Sequence, residues 1–326
     1  MRMNKSFLGA VAAMVFCGGI AHAQAKEGWP ADIKIGTASQ GGTFAIVGSG
    51  LASLLNDKLG VNASAEITGG PVQNVTLLQT GEHQLALSTL GPAKEAWDGL
   101  SALAPGLEHH DLRALLPMYV TPFQTIALKS SGISSLADMD GKRVNFGPAT
   151  GTSGTYFPQI YDALGIKARA SFSGGADAAS QLTDGLIDAI SFAGGVPIPF
   201  FSQLTVEADV TMFGLTEDER AKVLAALPAL SEFTIKAGTY SGHDYDQPTV
   251  GIWNFVLANA AMPEDLAYEI TKTVLENNNY MKQVHSVTSD MIAENWAANK
   301  VIPFHPGAAR YLREKGYEVP DAMIGH

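Results

Sequence analysis

Two stretches of this sequence combine glycine with small hydroxyl residues at spacings that suit the capture of an anion. The first reads Gly36-Thr37-Ala38-Ser39-Gln40-Gly41-Gly42-Thr43, and the second reads Gly147-Pro148-Ala149-Thr150-Gly151-Thr152-Ser153-Gly154-Thr155. Each follows a short apolar run and leads into a helical pattern. Glycine lets backbone approach a ligand without Cβ atoms in the way, and the helix start adds unpaired N–H groups and the positive end of its dipole. Thr43 and Thr155 stand where those helices are expected to begin and read as caps, with the Ser153 hydroxyl close by. Other loop chemistries fit poorly. Gly48-Ser49-Gly50-Leu51-Ala52-Ser53 lacks the last glycine of a dinucleotide fingerprint, and neither loop ends in the Lys-Ser/Thr of a P-loop. Gly151-Thr152-Ser153-Gly154 brings its second glycine one position too early for a serine-hydrolase elbow.

An enzyme would also need a base, a nucleophile or a metal, and the histidines do not supply one. His109-His110 falls in a polar linker, His83 in a turn and His243 in the loop His243-Asp244-Tyr245-Asp246. None has metal-ligand spacing on a helix, so surface turns are the expected setting. His305 sits at a helix entrance, where packing or capping accounts for it. No catalytic residue, metal ligand or cofactor is therefore assigned.

The elements that hold the loops repeat. Ile33-Lys34-Ile35 leads into the first loop, Ile46 to Leu59 has helical spacing with Gly60 as its stop, and Leu85 to Leu87 reads as a strand. From Val144 to Ile190 the same order returns: strand, glycine loop, helix, Gly174-Gly175 in place of Gly69-Gly70, and a strand at Ala189-Ile190. The strands empty into small-residue loops, Ser88-Thr89-Leu90-Gly91 and Ser191-Phe192-Ala193-Gly194-Gly195. Alternation of this kind predicts an α/β fold of two similar lobes, each a mainly parallel sheet flanked by helices, with ligand crevices at the carboxyl ends of the strands. The expected division is residues 24–120 with 236–326 for lobe I and 121–235 for lobe II, joined by hinge strands at 121–128 and 233–236. Thr216 with Glu219 forms a capping-box pattern before a helix from Glu217 to Ala226, and two further helices are expected after Pro263 and from Ala308 to Lys315.

The N-terminus reads as a cleavable secretory leader, residues 1–23. Arg2 and Lys5 precede the apolar run Phe7 to Ile20, and Ala21-His22-Ala23 follows as a small-x-small site. A membrane anchor needs about 20 apolar residues in a row, longer than this run. The chain's one cysteine, Cys17, falls inside the leader, so the exported protein is expected to stand on its core without disulfides. Loss of Arg2 and Lys5 leaves 19 basic against 32 acidic residues, a net charge of −13. Such a surface disfavours nucleic acid and obliges any anion to be captured by a local positive potential.

With those loops and their order, the sequence resembles the TAXI-type solute receptors of TRAP transporters from about Ile33 to Gly316. The likeness rests on Ile35-Gly36-Thr37 through Gly41-Gly42-Thr43-Phe44, on Thr68-Gly69-Gly70-Pro71-Val72-Gln73-Asn74, on Gly141-Lys142-Arg143-Val144 with the following Gly-Thr-Ser-Gly-Thr loop, and on Phe304-His305-Pro306-Gly307-Ala308-Ala309-Arg310-Tyr311. It implies a periplasmic, two-lobed receptor that closes on a small solute and delivers it to a membrane permease with a small and a large subunit. It also implies a small acidic solute: glutamate-like, a dicarboxylate or another organic acid. Carried over by position, ligand contacts would fall at Gly42, Thr43 and Phe44, at Gln73 and Asn74, at Ser88 and Thr89, at Thr152, Ser153, Gly154, Thr155 and Tyr156, and at Gly194 and Gly195. Phe44 departs from the family, many of whose members carry tyrosine there. No Arg or Lys falls within these loops, so a carboxylate would be held by N–H groups, helix ends and hydroxyls. An uncharged polyol or sugar acid is also compatible. The alternatives are a ligand-sensing partner of a membrane receptor, which would share fold and site, and a periplasmic enzyme built on the same loops.

Overall fold

A computed structural model describes residues 26–325, and the expected leader lies outside them. The first repeat runs β1 (Asp32–Gly36), α1 (Thr43–Leu59), β2 (Asn62–Glu66), α2 (Pro71–Gln79), β3 (Leu85–Thr89) and α3 (Leu90–Trp97). Alternation in β1 points Ile33 and Ile35 inward, and α1 buries Val47, Leu51, Leu54 and Leu55 at helical spacing. Gly60 ends α1 in the left-handed conformation, φ 65°, with its N–H donating to Asn56 O. β1 lies between β2 and β3, parallel to both.

After the long strand β4 (Leu112–Leu128), the order repeats as β5 (Arg143–Asn145), α4 (Thr152–Leu164), β6 (Arg169–Ser171), α5 (Gly175–Thr183) and β7 (Ala189–Ala193). β5 again lies between its two neighbours, parallel to both. The chain continues through α6 (Pro199–Glu207), β8 (Val210–Phe213), α7 (Glu217–Ala226), β9 (Ser231–Ile235) and the long β10 (Gln247–Asn259), and finishes with α8 (Glu264–Glu276), α9 (Asn278–Val284) and α10 (Pro306–Glu314). The strand order is β2-β1-β3-β10-β4-β7-β5-β6, with β8 on β4 and β9 on β10. The sheet is thus mixed: parallel inside each repeat, antiparallel where β4 and β10 join the two.

Both long strands serve both halves. β10 pairs with β3 over Asn254–Ala258 and with β9 over Gln247–Gly251, while β4 pairs with β7 and β8 only beyond Thr121. Of the segment 233–236, expected as a connecting strand, residues 233–235 therefore belong to β9 at the side of the sheet, and the return pass is made by β10. A propensity reading singled out the short run Phe233 to Lys236, whereas tertiary pairing selects the longer apolar strand that can bond to partners in both halves.

The buried apolar residues divide in the same way. One cluster takes Ile33 through Tyr119 together with Phe255 through Val319. Two more, built on Phe123, Phe146, Phe157 and Ile252 and on Ile190, Phe201 and Tyr240, fill the other half. Each fully buried large apolar side chain contributes about 1.5–3 kcal/mol, so either half has a core of its own. The capping box of Thr216 and Glu219 forms as expected before α7, and α10 begins at Pro306 with the His305 ring as its cap. Among the described residues no helix is long and apolar enough to cross a membrane.

Candidate functional site

The carboxyl ends of β1, β5 and β7 and the starts of α1 and α4 face one another between the halves. They enclose a cavity of about 40 Å³ lined by Ala38, Ser39, Gly42, Thr43 and Phe44 from the first loop, Pro71 and Thr121, Pro148, Gly151, Thr152 and Ser153 from the second loop, and Phe192, Ala193 and Gly194. That volume is far below the roughly 300–1,000 Å³ of ordinary ligand pockets. A solute larger than a few waters enters only if the halves part.

Both helices begin on glycine. Gly42 and Gly151 occupy the N-cap positions with extended backbone, and neither helix has a side-chain cap or an acidic residue in its first turn. The first N–H groups of each therefore lack both an intrahelical acceptor and a capping oxygen. This corrects the expectation that Thr43 and Thr155 are caps. Thr43 is already helical and its Oγ1 donates across the cleft to Gly195 O at 2.6 Å. Thr155 lies inside α4, which begins three residues earlier at Thr152, and its Oγ1 donates back to Gly151 O at 3.0 Å. Ser153 Oγ accepts from Ala193 N–H at 2.8 Å, which fixes the end of β7 against α4.

Of the residues carried over from the family, Gly42, Thr43, Phe44, Thr152, Ser153 and Gly194 line the cavity together, and Thr89 and Gly195 bond directly to members of that set. The others lie behind it. Gln73 Oε1 accepts from Gly69 N–H at 2.7 Å. Asn74 is fully buried, with Nδ2 donating to Thr37 O and Leu87 O and Oδ1 accepting from Thr68, so it ties the ends of three strands together. The Ser88 hydroxyl donates to Thr89 O. Gly154 allows α4 to approach its own loop, since a Cβ there would stand 2.3 Å from Pro148 O.

Tyr156 serves the contact between the halves. Its Oη donates to Glu95 Oε1 of α3 at 3.1 Å, and the ring reaches α3 only because residue 91 is glycine: a Cβ there would lie 1.9 Å from Oη. Burial raises the Glu95 carboxyl above its ordinary range, and the Tyr156 hydrogen bond partly offsets this. Further cross-contacts are Thr89 Oγ1 with Thr152 Oγ1 at 3.1 Å, Val72 N–H to Thr150 O at 3.1 Å, and His285 Nε2 to Pro197 O at 3.1 Å. The described conformation is a closed one.

Eight wall residues lie outside the expected set: Ala38, Ser39, Pro71, Thr121, Pro148, Gly151, Phe192 and Ala193. Ser39 and Pro148 belong to the quoted glycine loops and were open to inference, but Thr121 and Phe192 reach the cavity through strands whose facing direction depends on register. The histidines are also more buried than a turn setting suggests: His83, His109 and His243 all lie in the interior. The His109 and His243 rings fold under their own turns, each with Nδ1 against a backbone carbonyl two residues back. Among the described residues no group of three or more His, Cys, Asp or Glu is placed to hold a metal.

No described Asp, Glu, Lys, Arg or His lines the cavity. Its polarity comes from hydroxyls, carbonyls and the two uncapped helix ends, each equivalent to roughly half a positive charge. Such a site can bind a monoanion or a polar neutral solute.

Comparison with known proteins agrees with this architecture. The NMT1-like family matches residues 35–316. Among solved structures, the fold is similar to MatC from Rhodopseudomonas palustris with bound malate, at 15% identity and a TM-score of 0.59, covering 88% of this chain and 97% of that one. The periplasmic binding protein BugD is similar at 16% identity and a TM-score of 0.52, with 78% and 86% covered. An ABC uptake transporter substrate-binding protein from Streptococcus pneumoniae with bound histidine is similar at 15% identity and a TM-score of 0.50, with 83% and 94% covered. One of these neighbours is named a periplasmic binding protein, one a substrate-binding protein, and the third holds malate.

Proposed function

The chain belongs to the NMT1-like family, and on that premise we propose that it is an extracytoplasmic receptor that closes its two lobes on a small carboxylate-bearing solute. The observation that carries the reading is the meeting of two uncapped helix starts, one per lobe, at a cavity whose described wall has no charged side chain. A neutral hydrogen bond contributes only about 1 kcal/mol net, so a site without ion pairs needs many pre-positioned donors shielded from water. Lobe closure supplies the shielding. The solutes named for MatC and for the pneumococcal protein, malate and histidine, both carry a carboxylate, which agrees with this reading.

The lobes are proposed to divide at residue 120/121 on the outward pass, as expected. On the return pass they divide near residue 252 rather than 236, because Tyr240, Val250 and Ile252 pack with the second lobe's core and Phe255 with the first. The resemblance to TAXI-type receptors supports delivery of the solute to a TRAP permease, and the leader expected at residues 1–23 from the sequence supports a periplasmic site of action. The test is a melting-temperature screen of the leaderless protein against organic acids, amino acids and sugars, with mass spectrometry of any co-purified molecule. A selective rise with carboxylates is expected; a flat response with nothing co-purified contradicts the reading.

A further inference from the structure

Five hydroxyl side chains line the cavity, and four of them are already engaged by protein. Thr43 bonds to Gly195 O, Thr121 to Asn254, Thr152 to Thr89 and Ser153 to the Ala193 amide. The fifth, Ser39, is 9% exposed, and its Oγ is buried with no hydrogen-bond partner. A buried hydroxyl left unpaired costs roughly 1–3 kcal/mol, so its retention calls for a reason outside the resting fold. Its position supplies one. Ser39 closes the turn that starts α1, its carbonyl accepting from Gly42 N–H at 3.2 Å. From the other lobe Gly174, the N-cap of α5, approaches so closely that a Cβ there would lie 3.2 Å from Ser39 Cβ. Ser39 thus stands on the cavity wall between two helix starts, at a point where the lobes touch.

We propose that Ser39 is the specificity-determining hydroxyl of the site, donating through Oγ to a carboxylate oxygen of the bound solute. The assignment rests on the receptor reading above and goes beyond it. The engaged hydroxyls hold the loops and the closed state in place, and the spare one reads the cargo. A hydroxyl donor fits a carboxylate oxygen held beside a helix start, because the charge-assisted bond is stronger than a neutral one. Any solute lacking an acceptor at this point leaves Ser39 unpaired on closure and is discriminated against by the same amount.

The test uses the leaderless full chain with L-malate, succinate, L-glutamate and 2-oxoglutarate as probes, taking forward whichever raises the wild-type melting temperature most and measuring its Kd by calorimetry. Ser39→Ala is expected to weaken that Kd about tenfold. The unliganded variant should melt no lower than wild type, because no protein hydrogen bond is lost. A Kd change below about threefold, or an unliganded melting temperature several degrees lower, overturns the assignment of Ser39 while leaving the receptor intact. Wild-type protein that responds to none of the four probes and carries no co-purified acid overturns the receptor reading, and the Ser39 assignment falls with it.

Discussion

Four helix starts of this protein fall into two kinds. α7 starts on Thr216 in a full capping box with Glu217, Asp218 and Glu219 in its first turn, and α8 starts with Glu264 and Asp265. α1 and α4 start on bare glycines with no acidic residue in the first turn. These two outer starts thus carry their own acceptors or acidic residues and serve stability. The inner pair keep their N–H groups and positive ends open toward the space between the lobes, which leaves work for a ligand to complete. Charge on this molecule follows the same division. The chain carries a net charge of −11, yet the described cavity wall holds no carboxylate to offset the positive helix ends at close range.

The largest effect comes from making an inner helix start resemble an outer one. Ala38 lines the cavity beside the α1 start, and Ala38→Asp would supply a carboxylate from the chain itself. Binding of an organic acid is expected to fall about 100-fold by calorimetry, because like charges juxtaposed in a desolvated site cost several kcal/mol. The melting temperature of the free protein should hold, since the new carboxylate meets two positive helix ends. Unchanged affinity would erase the distinction between the two kinds of helix start.

A smaller effect concerns closure. The described wall holds no titratable side chain, so pH acts on binding through the contacts that hold the lobes together. His285 is the clearest: Nε2 donates to Pro197 O of lobe II and Nδ1 accepts from Val287 N–H, a pattern only the neutral ring can make. Burial lowers its pKa from the ordinary value, a shift partly offset by the Pro197 carbonyl. A lowered folded pKa means that its contribution is present above pH of about 6.5 and is lost as pH falls through the lowered value. Affinity for an acid that stays ionised is therefore expected to decline a few-fold below pH of about 6, with the decline flattened in His285→Gln. The readout must be affinity rather than melting temperature, because His83 and His305 have pKa values lowered chiefly by burial and alter lobe I stability with the same sign.

The smallest change tests the outer class. Thr216→Ala removes the capping box of α7 and is expected to cost about 1 kcal/mol of stability in denaturant unfolding. Solute affinity should stay unchanged; a change in affinity would mean that outer helix starts also reach the site.

How much of this was legible in the sequence varies by residue. The repeat, the α7 capping box and the two loops follow from local order of glycine, apolar and hydroxyl residues, which one chain displays directly. The sites of closure do not, because they pair residues far apart in the chain: nothing near Tyr156 announces Glu95, and nothing near Thr43 announces Gly195 O. Local sequence makes Thr43 a cap, because hydroxyl residues at helix starts usually are. With Gly42 taking the N-cap position, that hydroxyl was free to reach the other lobe. The strand that runs through both halves is hidden for a related reason, since β10 pairs with β3 in one half and with β9 in the other, and only pairing distinguishes it from the short run 233–236.

The most direct measurement is a proton–nitrogen amide spectrum of the leaderless protein, titrated to saturation with the organic acid that stabilises it most. If backbone donors at the paired helix starts grip the solute, the amide protons of Thr43, Phe44, Thr152 and Ser153 will move downfield more than any others. If those four stay in place while a lysine or arginine elsewhere responds to the acid, the grip is not where these loops converge.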